Sequence, residues 1–190
     1  MSYISKNLVV FFLFIIMFAI QKSIQDFITQ IDFSTHADLY LPYLIFLPHG
    51  IRIISLIVYG NIIIPGLILA HLLTLILRVE SMQEFFSFKF DILITFGSPL
   101  LSIGSVWLAI FLIAKKIKVD ENEINVPFIL KITFLSALLN AFSSNIFRYV
   151  FQESYTGLNI NILLYFVGDA LGALVLFSFL ALINRSFRNN

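Results

Sequence analysis

The chain has 190 residues, of which 59% are hydrophobic and 12% are charged, and its mean hydropathy is +0.97. A soluble domain is about half apolar and about a quarter charged, so this composition indicates an integral membrane protein. The net charge of +1 argues against a basic surface for nucleic acid. The absence of cysteine excludes disulfides, thiol catalysis and cysteine-based metal sites.

Hydrophobic segments of near membrane-spanning length follow one another along the chain. They predict an all-α, polytopic helix bundle of about six transmembrane helices, one or more of them broken by Pro or Gly. This bundle would be a single transmembrane domain over residues 1–190, with no soluble output domain. The predicted segments run from about Tyr3 to Ile20, Leu39 to Tyr59, Ile62 to Leu77, Ile92 to Ile113, Val126 to Val150 and Ile160 to Ile183.

Within the first segment, Lys6 precedes the apolar stretch Leu8 to Ile20, as in a signal peptide. No small-residue cleavage site comes after it, so we interpret the segment as a retained helix. Beyond it, "SIQDFITQIDFSTHAD" places Ile24, Phe27, Ile28 and Ile31 at helical spacing. This pattern predicts either an amphipathic helix in the membrane interface or an extension of the first helix past the headgroups. "SMQEFFSFKF" after the third segment has a similar interfacial character.

The lysines that follow the fourth segment set the predicted orientation. With six spans, Lys115, Lys116 and Lys118 lie on the same side of the membrane as both termini. Short loops rich in Lys and Arg stay in the cytoplasm, so we predict that both termini are cytoplasmic.

Two charged residues within hydrophobic segments predict a buried polar site. Arg52 lies about eleven residues into the second segment, roughly 16 Å deep, and Asp169 lies at a similar depth in the sixth segment. An arginine near the bilayer centre costs about 2.5–3.5 kcal/mol, so we expect the two side chains to pair. Such a pair either fixes helix packing alone or contacts a ligand, and the sequence leaves both open.

Polar residues of the fifth segment extend this site. Ser136, Asn140, Ser143 and Ser144 form one helical stripe with Asn145 beside it, which indicates hydrogen bonds between helices or the lining of a pocket. Pro48 and Gly50 are expected to break the backbone around His49, and Pro99 to kink the fourth segment. We therefore predict a buried polar or ligand-binding cluster of His49, Arg52, Asn145 and Asp169.

Two histidines suggest an alternative kind of site. His49 and His71 are equally far in sequence from Gly60, so an antiparallel pair of helices would place them at comparable depth. Such a pair can hold a haem or a metal ion. Ordinary polar contacts remain the simpler interpretation, and we expect neither a metal nor a cofactor. The chain has no nucleophile elbow, zinc-protease motif or phosphate loop, so we predict that it is not an enzyme.

Two motifs resemble the membrane-associated sensor (MASE-type) domains of bacteria. "LPHGIRIISLIVYG" followed by "IIIPGLILAHLL" is similar to their opening motif, in which a Pro-x-Gly turn precedes a helix, a Gly ends it and a Pro-Gly opens the next. "GDALGALVLFSFLALI" resembles their closing helix, although the proline that often follows Gly-Asp is absent. The positions that carry the resemblance are Pro48, Gly50, Arg52, Gly60, Pro65, Gly66, Gly168, Asp169 and Gly172.

The resemblance implies a sensory input domain of the bacterial inner membrane, in a short form that stands alone. Such a domain would bind or sense a small ligand within the bundle and signal through a separate protein, or as a homo-oligomer. Its partners would be the lipid bilayer and that protein, not nucleic acid. A substrate-binding subunit of an uptake system, a small transporter and a purely structural assembly partner are the alternatives.

Overall fold

Helices account for nearly all of the structure, as the apolar segments predict. A computed structural model describes residues 1–30, 45–77, 92–117, 125–151 and 157–188. These ranges contain six α-helices, one short 3-10 helix and no strand, which confirms the all-α prediction. The elements are α1 (Tyr3–Gln30), α2 (Leu47–Tyr59), the 3-10 helix (Gly60–Ile63), α3 (Ile64–Leu77), α4 (Ile92–Ile117), α5 (Val126–Phe151) and α6 (Leu158–Arg188).

Five helical stretches in these ranges are long and apolar enough to cross a membrane. The second of them combines α2, the 3-10 helix and α3. Together with the composition, these stretches are consistent with a multi-pass membrane protein. They are Tyr3–Ile24, Leu47–Thr74, Phe96–Lys115, Val126–Phe151 and Leu158–Ser186.

The second stretch bends back at Gly60 and is not a straight helix. Gly60 has a φ of 66°, a left-handed conformation that side chains disfavour, and it ends α2. The Phe14 ring of α1 contacts both the Arg52 guanidinium and the His71 ring. A straight helix would hold residues 52 and 71 about 28 Å apart, so α2 and α3 are the two arms of a hairpin.

The start of α1 is attached to the tip of this hairpin. The Asn7 side chain donates a hydrogen bond to the Ile62 carbonyl at 2.9 Å and accepts one from the Gly66 N–H at 2.8 Å. A Cβ at Gly66 would lie 2.6 Å from the Asn7 carbonyl oxygen, so only glycine allows this approach. Helix α1 therefore runs antiparallel to α2 and parallel to α3.

The remaining helices alternate in direction. Ser105 lies 3.2 Å from Ser143 and Gly97 faces the ring of Phe147, so α4 and α5 are antiparallel. Helices α5 and α6 are joined by a short connection and are also antiparallel. Helices α2 and α6 are parallel, because residues 46 and 50 contact progressively later residues of α6. Both termini consequently lie at the end of the bundle that carries the hairpin tip, which we call the terminal end.

Several helix boundaries in the structure differ from the predicted ones. Helix α1 continues to Gln30, so the first part of the predicted interfacial stretch extends the first helix. The rest of that stretch, the start of the second segment and "SMQEFFSFKF" lie outside the described residues. Helix α4 continues through Pro99.

The predicted break at Pro48 to Gly50 is wrong. Helix α2 begins at Leu47, so Pro48 occupies the first turn, where its missing N–H removes no helical hydrogen bond. The helix is regular through Gly50. The interruption by Gly lies instead at Gly60, and Pro65 likewise occupies the first turn of α3.

Small residues let the start of α2 approach α6. The Phe46 N–H donates a hydrogen bond to the Gly168 carbonyl at 2.8 Å, and a Cβ at Gly172 would overlap the Phe46 backbone. One turn later, a Cβ at Gly50 would lie 3.2 Å from the Cα of Ala173. Close backbone contact of this kind is how membrane helices pack tightly.

Replacing Gly172 with alanine should therefore destabilise the protein. The added methyl group overlaps the Phe46 backbone, and overpacking costs about 1–3 kcal/mol. The matched control is Gly104→Ala in α4, where an added Cβ meets no atom within 4 Å and better helix propensity should leave stability unchanged or higher. Thermal unfolding of both variants in detergent checks this, and equal midpoints would contradict the packing argument.

Candidate functional site

A buried polar cluster lies where α2, α5 and α6 meet. Its charged members, His49, Arg52 and Asp169, are 0%, 1% and 3% exposed. The His49 Nδ1 lies 3.3 Å from Arg52 Nη1 and 3.5 Å from Asp169 Oδ2. The cation and the anion predicted from the sequence, Arg52 and Asp169, therefore both lie close to Nδ1 of His49.

Helix α5 holds the other side of this cluster through its polar stripe. The Asn140 amide donates a hydrogen bond to Asp169 Oδ2 at 2.5 Å, and its carbonyl oxygen accepts one from Ser144 at 2.9 Å. The Ser136 hydroxyl lies 3.0 Å from His49 Nε2. The cluster therefore ties together three helices that are distant in sequence.

Two aromatic rings flank the arginine. The Arg52 Cζ lies 5.0 Å from the centre of the Phe46 ring and 5.5 Å from the centre of the Phe14 ring. A desolvated cation–π contact is worth about 2 kcal/mol. The rings also keep water from the guanidinium, so its attraction to the Asp169 carboxylate is weakly screened. Through Phe14, α1 becomes the fourth helix that contacts the cluster.

The imidazole of His49 fits two hydrogen-bond arrangements. When Nδ1 accepts from Arg52, Nε2 carries the proton and donates to Ser136, whose hydroxyl donates to the Thr133 carbonyl at 3.2 Å. When Nδ1 carries the proton, it points at Asp169, and Nε2 accepts from the Ser136 hydroxyl. The second arrangement also turns the Nδ1 proton toward the Arg52 guanidinium, which can only donate and lies 3.3 Å away. The contact with Arg52 therefore favours the first arrangement, and the second becomes consistent only when Arg52 moves away from Nδ1.

The structure brings His49, Arg52 and Asp169 of the predicted cluster together. Asn145 is also fully buried, but its amide donates to the Ala141 carbonyl of its own helix at 2.7 Å. Asn140 occupies the position beside Asp169. The sequence pattern contained this information, because Asn140 belongs to the polar stripe and Asn145 lies next to it. The contacts of Phe14 and Phe46 with Arg52 could not be predicted from the sequence, because nothing distinguishes these two residues among the 22 phenylalanines of the chain.

The two histidines proposed as haem or metal ligands have different surroundings. The His71 ring lies 5.8 Å from the Phe14 ring, centre to centre, while both nitrogens of His49 contact protein groups. A metal at His49 would have to replace Ser136, or the contacts with Arg52 and Asp169. Within the described ranges, no group of three or more His, Asp or Glu side chains is arranged to hold a metal ion.

The positions that carry the MASE-type resemblance have clear structural roles. Pro48 and Pro65 lie in first helical turns, and Gly60 makes the turn between α2 and α3. The other glycines are points of close approach: Gly50, Gly66, Gly168 and Gly172.

Comparisons with known proteins give no relative. No protein-family model matches this chain, and neither a curated protein nor a solved structure is significantly similar to it. The resemblance to MASE-type domains therefore stays a prediction from the motifs.

Replacing Asp169 with alanine should be strongly destabilising. The substitution removes the carboxylate that lies, together with the buried Arg52 cation, against His49 Nδ1, and removing one of two opposite buried charges costs about 3–5 kcal/mol. The control is Asp26→Ala, an exposed position on α1, for which we expect a change below about 1 kcal/mol. Chemical unfolding of both variants in mixed micelles provides the measurement, and similar losses would show that Asp169 has no special role in stability.

Proposed function

We propose that this chain is a six-span sensor module of the bacterial inner membrane with both termini in the cytoplasm. The buried cluster of His49, Arg52, Asn140 and Asp169 would recognise a small polar ligand, and a separate signalling protein would receive the response. The observation that carries the proposal is a set of buried ionisable side chains on α2 and α6, linked by hydrogen bonds to polar side chains of α5. Ionisable residues at membrane depth are costly and commonly mark functional sites.

The alternating directions of the helices support six crossings. The hairpin arms α2 and α3 have 13 and 14 residues, so each is about 20 Å long and shorter than the apolar core of a bilayer. The proposal of six crossings therefore requires each crossing to be longer than the described helical arm. In this topology Lys115 and Lys116, in the last turn of α4, would lie on the same side as both termini, and their positive charge favours a cytoplasmic location for that side.

The start of α2 supports recognition of an anionic group. Phe46 contacts Gly168, which lies about 15 Å along α6 from its first residue, so α2 begins near the middle of the bundle. The first N–H groups of a helix lack helical partners and carry partial positive charge. Helix starts at this depth often face anionic substrate groups in membrane proteins. Here the Arg52 guanidinium adds a full positive charge one turn further on.

A ligand at this site would have a direct route to the terminal end. An anionic ligand group that binds Arg52 competes with Asp169 for the guanidinium. Its binding favours the arrangement in which the protonated Nδ1 of His49 points at Asp169. Arg52 contacts Phe14 of α1, and Asp169 belongs to α6. Helix α1 begins and helix α6 ends at the terminal end, where a cytoplasmic partner would bind.

A substrate-binding subunit of an uptake system, or a small transporter, is the second candidate. It is favoured by the same start of α2 within the bundle, since interrupted helices often form transport sites. Partner identity separates the two proposals. Purification of the tagged full-length chain with a signalling enzyme supports the sensor, and purification with an ATPase supports uptake.

Native mass spectrometry of the protein extracted gently from its own membrane tests ligand recognition. We expect a bound small molecule on the unmodified chain that is absent from Arg52→Gln, because the substitution removes the anion-binding charge. Arg148→Gln is the matched control, since Arg148 contacts Tyr165 away from the cluster. A spectrum without a bound molecule, or the same molecule on all three proteins, would contradict the proposal.

A further inference from the structure

An open apolar groove of about 820 Å³ lies between α4 and α5, and none of its described lining residues belongs to the buried cluster. Its walls are aliphatic and aromatic side chains, with Phe166 of α6 at one edge. Phe134 and Leu138, which line the groove, are 46% and 42% exposed, so the groove opens outward. In a membrane-embedded bundle, such an opening faces the lipid.

Among the described residues that line this groove, Lys131 alone is charged. It is exposed, and within the described part of the chain it has neither a hydrogen bond nor an ion pair. It lies about 8 Å along α5 from the first residue of the helix, and Leu138 lies about 10 Å deeper. The cation is thus near the terminal end of the groove, and the apolar wall continues toward the middle of the membrane.

The neighbouring helix adds a second cation at the same end. Leu112 of α4 lines the groove, and Lys115 follows it by three residues, on a neighbouring part of the same helix. The Lys115 ammonium lies 5.7 Å from the centre of the Phe111 ring, beside the groove lining, from where its flexible side chain can reach the mouth of the groove. Lys115 is also close to the last residue of α4, at the terminal end. The groove therefore has one lysine, Lys131, in its lining near the terminal end, a second lysine beside it on α4, and an apolar interior.

We propose that this groove binds an anionic phospholipid, with an acyl chain along the apolar wall and the phosphate at Lys131 and Lys115. The apolar wall requires an occupant that enters from the bilayer. The two lysines select negative charge, because a basic residue near the membrane surface attracts anionic lipid. The binding site is independent of the buried cluster and of the sensor proposal.

Lipid titration of the full-length chain, followed by native mass spectrometry, tests this assignment. The probes are phosphatidylglycerol and phosphatidylcholine with identical acyl chains. We expect one phosphatidylglycerol per chain, bound about fivefold or more tightly than phosphatidylcholine. Lys131→Gln should weaken phosphatidylglycerol binding by about fivefold and leave phosphatidylcholine binding unchanged. The matched control, Lys22→Gln, changes an exposed lysine of α1 and should bind both lipids like the unmodified chain.

A second variant tests the groove itself. Leu138→Trp fills the apolar wall from an exposed position, so the chain should fold normally, as thermal unfolding can verify, while binding of both lipids decreases. Equal affinity for the two lipids, or equal behaviour of Lys131→Gln and Lys22→Gln, would overturn the role of charge. Unchanged phosphatidylglycerol binding by a folded Leu138→Trp variant would overturn the location.

Discussion

The need to neutralise a buried arginine governs this structure. Arg52 is 1% exposed and belongs to a helix that begins inside the bundle. A charge in that position is tolerated only with an opposite charge and hydrogen-bond partners nearby. Asp169 supplies the charge, while His49 contacts both side chains through one nitrogen. The arrangement of α2, α5 and α6 follows from the requirement that these groups meet.

Close packing of the backbones of α2 and α6 brings Arg52, His49 and Asp169 within reach of one another. The approach of Phe46 to Gly168 and Gly172 fixes the height at which α2 begins, and therefore the height of Arg52 relative to Asp169. On the other side, α1 covers the guanidinium with Phe14. The packing at Gly168 and Gly172 and the charged residues therefore depend on each other, because this packing sets the distances between the charges.

Much of this architecture could be predicted from the sequence. The lengths of the hydrophobic segments predicted the boundaries of α4, α5 and α6 to within a few residues, and Gly60 indicated the turn between α2 and α3. The parallel directions of α2 and α6 followed from counting segments, and they correctly suggested that Arg52 and Asp169 lie at similar depth. These features depend on periodicity and on the cost of isolated charge, both of which a sequence displays directly.

Other features depend on three-dimensional contacts that no periodicity encodes. The start of α2 at Leu47 is set by contact with α6, so Pro48 begins a helix where the sequence suggested a broken one. The hydrogen bond from Asn140 to Asp169 depends on the rotation of α5 about its axis. The role of Phe14 depends on how α1 lies between the hairpin arms. Each is a consequence of packing between segments distant along the chain.

A double-mutant cycle between Arg52 and Asp169 is the most direct test of the central claim. The unmodified chain, Arg52→Leu, Asp169→Leu and the double variant would be compared by reversible unfolding in mixed micelles. If the two charges neutralise each other, the double variant loses less stability than the sum of the single losses, with a coupling of about 0.5–3 kcal/mol. Additive losses would show that the two charges are buried independently and would contradict the account.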